Sequence, residues 1–170
     1  GVHLNGFVRK PEALYLWVPR RSRTKPTYPG MLDNTVAGGQ PIGISLADNL
    51  IKECREEANI PPELARRAQA VGVITYCIEV AEGLQPDAQF CFDLELPEDF
   101  VPVNTDGEID EFVLWPIERV AEVVRDTRDF KFNCNLVIID FLMRHAILPP
   151  DDPDYIEIAQ GLRRSTSITL

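Results

Sequence analysis

The sequence predicts an α/β fold in which helices pack on both faces of a mixed sheet. Three observations carry this reading. Two short alternating stretches open the chain as a hairpin, a glycine-rich loop then runs into one acidic amphipathic helix, and two long strand-like stretches precede a helical C-terminal third. Periodicity alone leaves a segregated α+β arrangement open.

Taken in order, Val2 to Arg9 and Ala13 to Val18 read as strands joined by a turn at Lys10-Pro11-Glu12. Pro19 to Gly30 is a loop holding Arg20, Arg21, Arg23 and Lys25, a dense basic cluster in an acidic chain. Met31 to Ala37 is a short extended piece leading into Gly38 and Gly39. The acidic helix begins at Ser45, an N-cap with Asp48 three residues on. It ends near Ala58, where Asn59 suits a left-handed cap and Pro61-Pro62 blocks continuation. Glu63 to Gln69 reads as a helical turn. Ala70 to Val80 and Ala88 to Leu96 read as strands, with a turn at Glu82-Gly83. A loop from Pro97 to Gly107 precedes a short strand, Glu111 to Trp115. Helices are predicted from Pro116 to Arg125, from Asn133 to Ala146, and from Asp152 to about Arg164, with a frayed tail after that.

At 170 residues the chain fits one domain with a sizeable core. It starts at Gly1 and enters a strand pattern at once, so the expectation is a single domain over 1–170, excised from a longer chain with another domain upstream. The net charge of −10 argues against a nucleic-acid surface, which is usually basic. Four cysteines without a C-x-x-C spacing read as reduced core thiols of an intracellular, cytoplasmic protein. No run of about 18 apolar residues suggests a membrane span. Nothing in the pattern fixes an oligomeric state.

The acidic helix carries the chemistry. Ala47, Leu50, Ile51, Cys54 and Ala58 form an apolar stripe, while Glu53, Glu56 and Glu57 share another face. Clustered carboxylates repel, and a cation between them removes that cost. Hard oxygen donors suit Mg²⁺, with Mn²⁺ an alternative. The competing reading is a solvated acidic face. Against it, Gly38, Gly39 and Gly43 let backbone approach a ligand closely. Outside the helix, the basic cluster suits a phosphate clamp, with a solvated loop as its competitor. The acids of 104–111 are surface loop residues on the plain reading. His3 and His145 have no hydrolase-triad pattern, and no G-x-S-x-G occurs.

Residues 38–60 resemble the Nudix box, G-x5-E-x7-R-E-U-x-E-E-x-G-U, where U is bulky and apolar. Gly38, Glu53, Glu56, Glu57 and Ile60 match, and Cys54 takes the inner U position. Ile44, Lys52 and Asn59 depart from the glutamate, arginine and glycine of the motif. Asp48 is positioned four residues ahead of Lys52 to pair with it, and Ile44 is expected against apolar neighbours at the loop–helix junction. The resemblance implies an α/β/α sandwich and a Mg²⁺-dependent hydrolase of small-molecule diphosphates. It implies catalytic Glu53, Glu56 and Glu57, and metal held by these, the Gly38 carbonyl and Glu108. Arg20, Arg21, Lys25, Gly39 and Glu111 are expected to bind substrate. LWVPRRSRTKPTYPGMLDNTVAGG, KECREEANIP, PEDFVPVNTDGEIDEF and FKFNCNLVIIDFLMRHAILPPDDPDY narrow the resemblance to a subgroup that includes the Nudix domain fused to fungal thiamine pyrophosphokinases. That implies thiamine diphosphate or its oxo and oxy forms as substrate, damaged forms preferred, yielding the monophosphate. The rivals are a Nudix-fold binding module without turnover, a hydrolase of ADP-ribose-like compounds, and a diphosphate isomerase, for which Cys54 is a poor active-site cysteine.

Overall fold

A computed structural model describes residues 1–81 and 83–164. Two strands, β1 (Val2–Lys10) and β2 (Ala13–Arg21), form the expected hairpin. They are followed by β3 (Val36–Gly38), α1 (Leu46–Ala58), α2 (Pro62–Ala65), β4 (Gln69–Val80), β5 (Gly83–Glu95), β6 (Ile109–Pro116), α3 (Ile117–Asp126), α4 (Phe132–Arg144) and α5 (Tyr155–Gly161). The sheet order is β4-β5-β1-β2-β6, with β3 paired to β1. Among the strand pairs of the described residues β1–β5 is parallel and the others antiparallel, so the sheet is mixed.

Alternation along the central strands divides the core. Val2, Leu4 and Val8 of β1 and Trp17 of β2 pack with Leu50, Cys54 and Ala58 of α1. Phe7 of β1 and Leu14, Leu16 and Val18 of β2 pack against Ile117, Val120, Cys134, Ile138 and Phe141 of α3 and α4. Successive strand residues point to opposite faces, so one strand serves two helical layers. This is the α/β/α sandwich with a mixed sheet.

The caps of α1 are those read from sequence. Ser45 Oγ accepts from the Asp48 amide at 3.1 Å, and Asn59 adopts φ 51°. The stripe differs at its start: Ala47 is exposed and Leu46 packs in its place. Strand β5 starts five residues earlier than expected, with Pro86 inside it opposite Cys77. Proline there loses nothing, because β1 pairs with β5 only from Phe90 onward and the early part of β5 has β4 alone as neighbour. The last helix is shorter than expected. The Asp152 carboxylate accepts from the Asp154 amide, a local turn that delays helix entry to Tyr155, and Arg163 already bridges to Thr75. Of the turn at Glu82-Gly83, Glu82 lies outside the described residues, as does the tail from 165 to 170.

A line of buried amides crosses the sheet beneath α4. Asp93 accepts from Asn5 at 3.0 Å, Asn5 from Asn34 at 3.3 Å, and Asn34 from His3 Nδ1 at 2.8 Å. His3 is 3% exposed. Burial holds its imidazole below the ordinary pKa of 6.5. Lys131 adds to the shift, while Asn34 and Asp33 oppose it. The folded pKa lies below the unfolded one, so this contribution to stability is complete above about pH 6.5 and is lost as pH falls. The expected outcome is that the Tm advantage of wild type over His3→Gln shrinks between about pH 7.5 and 5.5. A constant difference across that range contradicts it.

Candidate functional site

The glycine loop after β3 lies directly against α1. An added Cβ on Gly38 would sit 2.5 Å from Glu53 Cγ and 2.7 Å from Glu53 Oε1, so glycine is what lets this carboxylate lie under the loop. One turn on, Glu57 Oε2 accepts the Ala37 amide at 2.8 Å. Glu57 is 8% exposed, whereas the sequence placed it on an open acidic face. Burial holds its carboxyl well above the usual range. The Ala37 amide works the other way, and the charges of Asp33, Glu53 and Glu108 push it further up.

Glu108 reaches this region because its loop is fastened at both ends. Its carbonyl accepts the Ser22 amide at 2.8 Å, and Thr105 hydrogen-bonds the Glu56 carbonyl at the end of α1. Glu56 stays half exposed. The Lys52 ammonium joins Glu56 Oε2 at 2.6 Å and Glu53 Oε1 at 3.1 Å, and the expected partner Asp48 is instead held by Ser45 Oγ at 2.7 Å. Ile44 is 39% exposed, not packed among apolar neighbours, so a glutamate there meets solvent.

The basic cluster is largely spent within the fold. Arg21 is 7% exposed and donates to Asp33 Oδ2 at 2.6 Å and to the Tyr28 and Thr27 carbonyls, clasping its own loop and leaving its guanidinium turned inward. Arg20 pairs with Glu111 at 3.0 Å, so Glu111 is brought to the cluster rather than to the acids of α1. Lys25 pairs with Glu108. Sequence reasoning missed the cation by the glycines. Lys131 lines a cavity of about 340 Å³ with Gly38, Gly39, His3, Gln89 and Asn133, and has no ion pair among the described residues. A larger cavity of about 740 Å³, near Arg9, Asp93 and Arg144, lies at the far end of β1, away from these acids. A polar residue at an inward position of the alternating A-Q-F-C-F-D stretch was the available signal for Gln89.

The donor set is hard oxygen throughout, which fits a divalent cation of the Mg²⁺ type. Among the described residues, no three His, Cys, Asp or Glu side chains converge as an ion-holding set. One oxygen each of Glu53 and Glu56 is taken by Lys52, and one oxygen of Glu57 by the Ala37 amide.

The fold is the one found in solved Nudix structures. No family model matches the chain. In sequence it is similar to two Arabidopsis thaliana proteins, Nudix hydrolase 24 and Nudix hydrolase 20, both described as chloroplastic. It is 52% identical to each, over 95% and 96% of its own length. The chain spans 44% of each of these relatives. In structure it is similar to the NUDIX domain of Shewanella oneidensis NrtR, solved with ADP-ribose. The TM-score is 0.65 with 13% identity, covering 85% of this chain and 86% of that one. The chain thus has the Nudix fold, and in sequence it is similar to these two plant Nudix hydrolases. The expected cytoplasmic location has no counterpart in the descriptions of the plant relatives. Among the described residues no helix is long and apolar enough to cross a membrane.

Gly38 and Gly39 give a direct test. A methyl at Gly38 must displace the Glu53 carboxylate, and overpacking of that kind costs about 1–3 kcal/mol. At Gly39 an added Cβ meets nothing within 4 Å. Denaturant unfolding is expected to show Gly38→Ala destabilised and Gly39→Ala close to wild type. Equal behaviour of the two variants contradicts the close approach.

Proposed function

We propose that the domain is a divalent-metal-dependent hydrolase of small-molecule diphosphates, with thiamine diphosphate or its oxo and oxy forms as substrate. The observation that carries the reaction class is the closure of Gly38 over Glu53 beside the buried Glu57. The thiamine assignment rests on the resemblance of the sequence to that subgroup.

In this reading Glu53, Glu56 and Glu57, with Glu108 and the Gly38 carbonyl, hold the ion. When bound, Mg²⁺ or Mn²⁺ neutralises phosphate charge and eases ionisation of the attacking water. The carboxylates are catalytic by holding and orienting groups at the phosphorus, and one of them takes the proton from the water. The Gly39 backbone leaves room for the phosphates to approach. Lys131, lining the same cavity, is the cation best placed to receive their charge. Arg20 and Lys25 contribute once a phosphate competes for their glutamate partners. Arg21 supports the loop that carries them.

A second reading is favoured by one observation. Lys52 bridges Glu53 and Glu56, placing a cation of the chain's own on two of the acids, which suits a module that binds diphosphates without turnover. An isomerase is disfavoured by Cys54, which is fully buried and whose thiol is pushed up to about 12 by burial.

The test is phosphate release with Mg²⁺ from thiamine diphosphate, its oxo and oxy forms, ADP-ribose, nucleoside diphosphates and triphosphates, and isopentenyl diphosphate. Release from the thiamine compounds is expected. Glu53→Gln and Glu57→Gln should each lower turnover on the order of a hundredfold or more, with Tm held or raised because like-charge repulsion falls. Binding with no release from any probe establishes the binding module. A nucleotide or ADP-ribose preferred by about tenfold overturns the thiamine assignment alone.

A further inference from the structure

We propose that Tyr28 is a positioning residue: its ring holds the Lys131 ammonium beside Gly38 and Gly39, clear of the protein's own carboxylates, as the cation that receives the charge of a diphosphate. This deepens the diphosphate-hydrolase reading, and rests on it for what the diphosphate belongs to.

Lys131 stands where local rules argue against a lysine. It is the N-cap of α4, a position that favours a serine, threonine, aspartate or asparagine able to accept from a free amide. Its side chain caps nothing, and it puts positive charge at the helix end where a cation is disfavoured. No ion pair among the described residues offsets this. The acids nearby are engaged elsewhere. Asp87, which lines the same cavity, accepts from the Tyr76 hydroxyl at 3.0 Å and from the Ala88 amide at 2.8 Å. Asp33 is paired with Arg21. What the ammonium has is an aromatic ring, with Lys131 Nζ 5.7 Å from the centre of Tyr28. That is the range of a cation–π contact, which orients an ammonium without neutralising it. The charge therefore stays available to an anion.

The loop is built to keep that ring in place. Tyr28 has φ 51°, a left-handed backbone that a bulky side chain resists. Buried Arg21 secures it, donating Nε to the Tyr28 carbonyl at 3.0 Å and Nη2 to the Thr27 carbonyl at 2.9 Å. The Gly30 amide returns to the Arg21 carbonyl at 3.1 Å and closes the loop. A glycine or asparagine makes such a turn at lower cost, so the turn alone does not call for tyrosine. Nor does the core, since the residue is 46% exposed. The ring faces a cation that belongs to the site. Lys131 lines the cavity with Gly38 and Gly39, and its charge bears on the buried His3 imidazole of the same cavity. Gly38 also lies against Glu53, so the glycine loop has the carboxylates of α1 on one side and this cation on the other.

The probe is inorganic pyrophosphate, its binding measured by calorimetry with and without Mg²⁺. KM and kcat are measured beside it on the compound of the phosphate-release screen that turns over fastest. Lys131→Met is expected to weaken pyrophosphate binding by about tenfold. Tyr28→Leu removes the ring and should weaken it by about two- to fivefold, read in turnover as a rise in KM with kcat kept. Tyr28→Asn, which suits the left-handed backbone, should show the same loss with Tm held or raised. Tyr28→Phe keeps the ring and should bind as wild type does. In the Lys131→Met background Tyr28→Leu should cost nothing further, because the ring acts through the ammonium. Wild type that binds pyrophosphate under neither condition overturns the proposal, as does wild-type affinity in Tyr28→Leu and Tyr28→Asn. A loss in Tyr28→Phe as large as in Tyr28→Leu, or one that persists in the Lys131→Met background, shows a different or structural role and also overturns it. The expected dependence of binding with no phosphate release from any compound removes the hydrolase reading and leaves the positioning role standing.

Discussion

The contact on which the site depends is the one between α1 and the strand that precedes its loop. Glu57 accepts the Ala37 amide, and Glu53 lies beneath Gly38 where a side chain has no room. These contacts fix the position of the glycine loop relative to the helix. They also bury a carboxylate, which is costly unless it is hydrogen-bonded or neutralised. The Ala37 amide supplies one hydrogen bond, and the surrounding Asp33, Glu53 and Glu108 make the need for positive charge greater. Lys52 answers part of that need at Glu53 and Glu56, from the solvent side. The rest of the site is arranged about a deficit of positive charge that the chain's own residues only partly fill.

The same accounting explains the basic loop. In a chain of net charge −10, four cations within six residues look available for an anionic ligand. The sheet pairs β2 with β6, which lays Arg20 opposite Glu111, and the Ser22–Glu108 backbone bond brings Lys25 to the Glu108 carboxylate. The exposed Arg20–Glu111 pair is worth little, and the Lys25–Glu108 pair is only partly buried. Arg20 and Lys25 can therefore be recruited by phosphate, whereas buried Arg21, holding Asp33 and two carbonyls, is part of the framework.

Local signals were legible in the sequence and long-range ones were not. The limits of α1 follow from Ser45, Asp48 and Asn59, whose effects act within one turn, and the central strands follow from alternation. The extension of β5 through Pro86 was hidden, because whether proline is tolerated depends on which edge of the strand is free. The apolar stripe of α1 was legible, but the burial of Glu57 was not. Glu57 stands seven residues after Leu50 and three after Cys54, at the edge of that stripe, and its contact with β3, far from it in the chain, helps take it out of water. The partners of Arg20 and Lys25 lie 91 and 83 residues away in the chain, beyond any local pattern.

The cavity shows why sequence reasoning stopped short of specificity. Its wall is contributed by β1, β5, the loop after β3 and the start of α4, and no two of these are consecutive in the chain. Gln89 and His3 occupy inward positions where alternation calls for apolar side chains. Each is tolerable there because a hydrogen-bond chain satisfies one side of it, through Tyr76 and Asp87 or through Asn34, Asn5 and Asp93. Such chains fix which atom of an amide or imidazole faces inward, and they do so rigidly, since reversing one member strands a proton or a lone pair on the next. The loop of Gly38 and Gly39 lies where the two sides meet. On one side stand the carboxylates of α1, and on the other a cavity whose cation is Lys131, without an ion pair among the described residues.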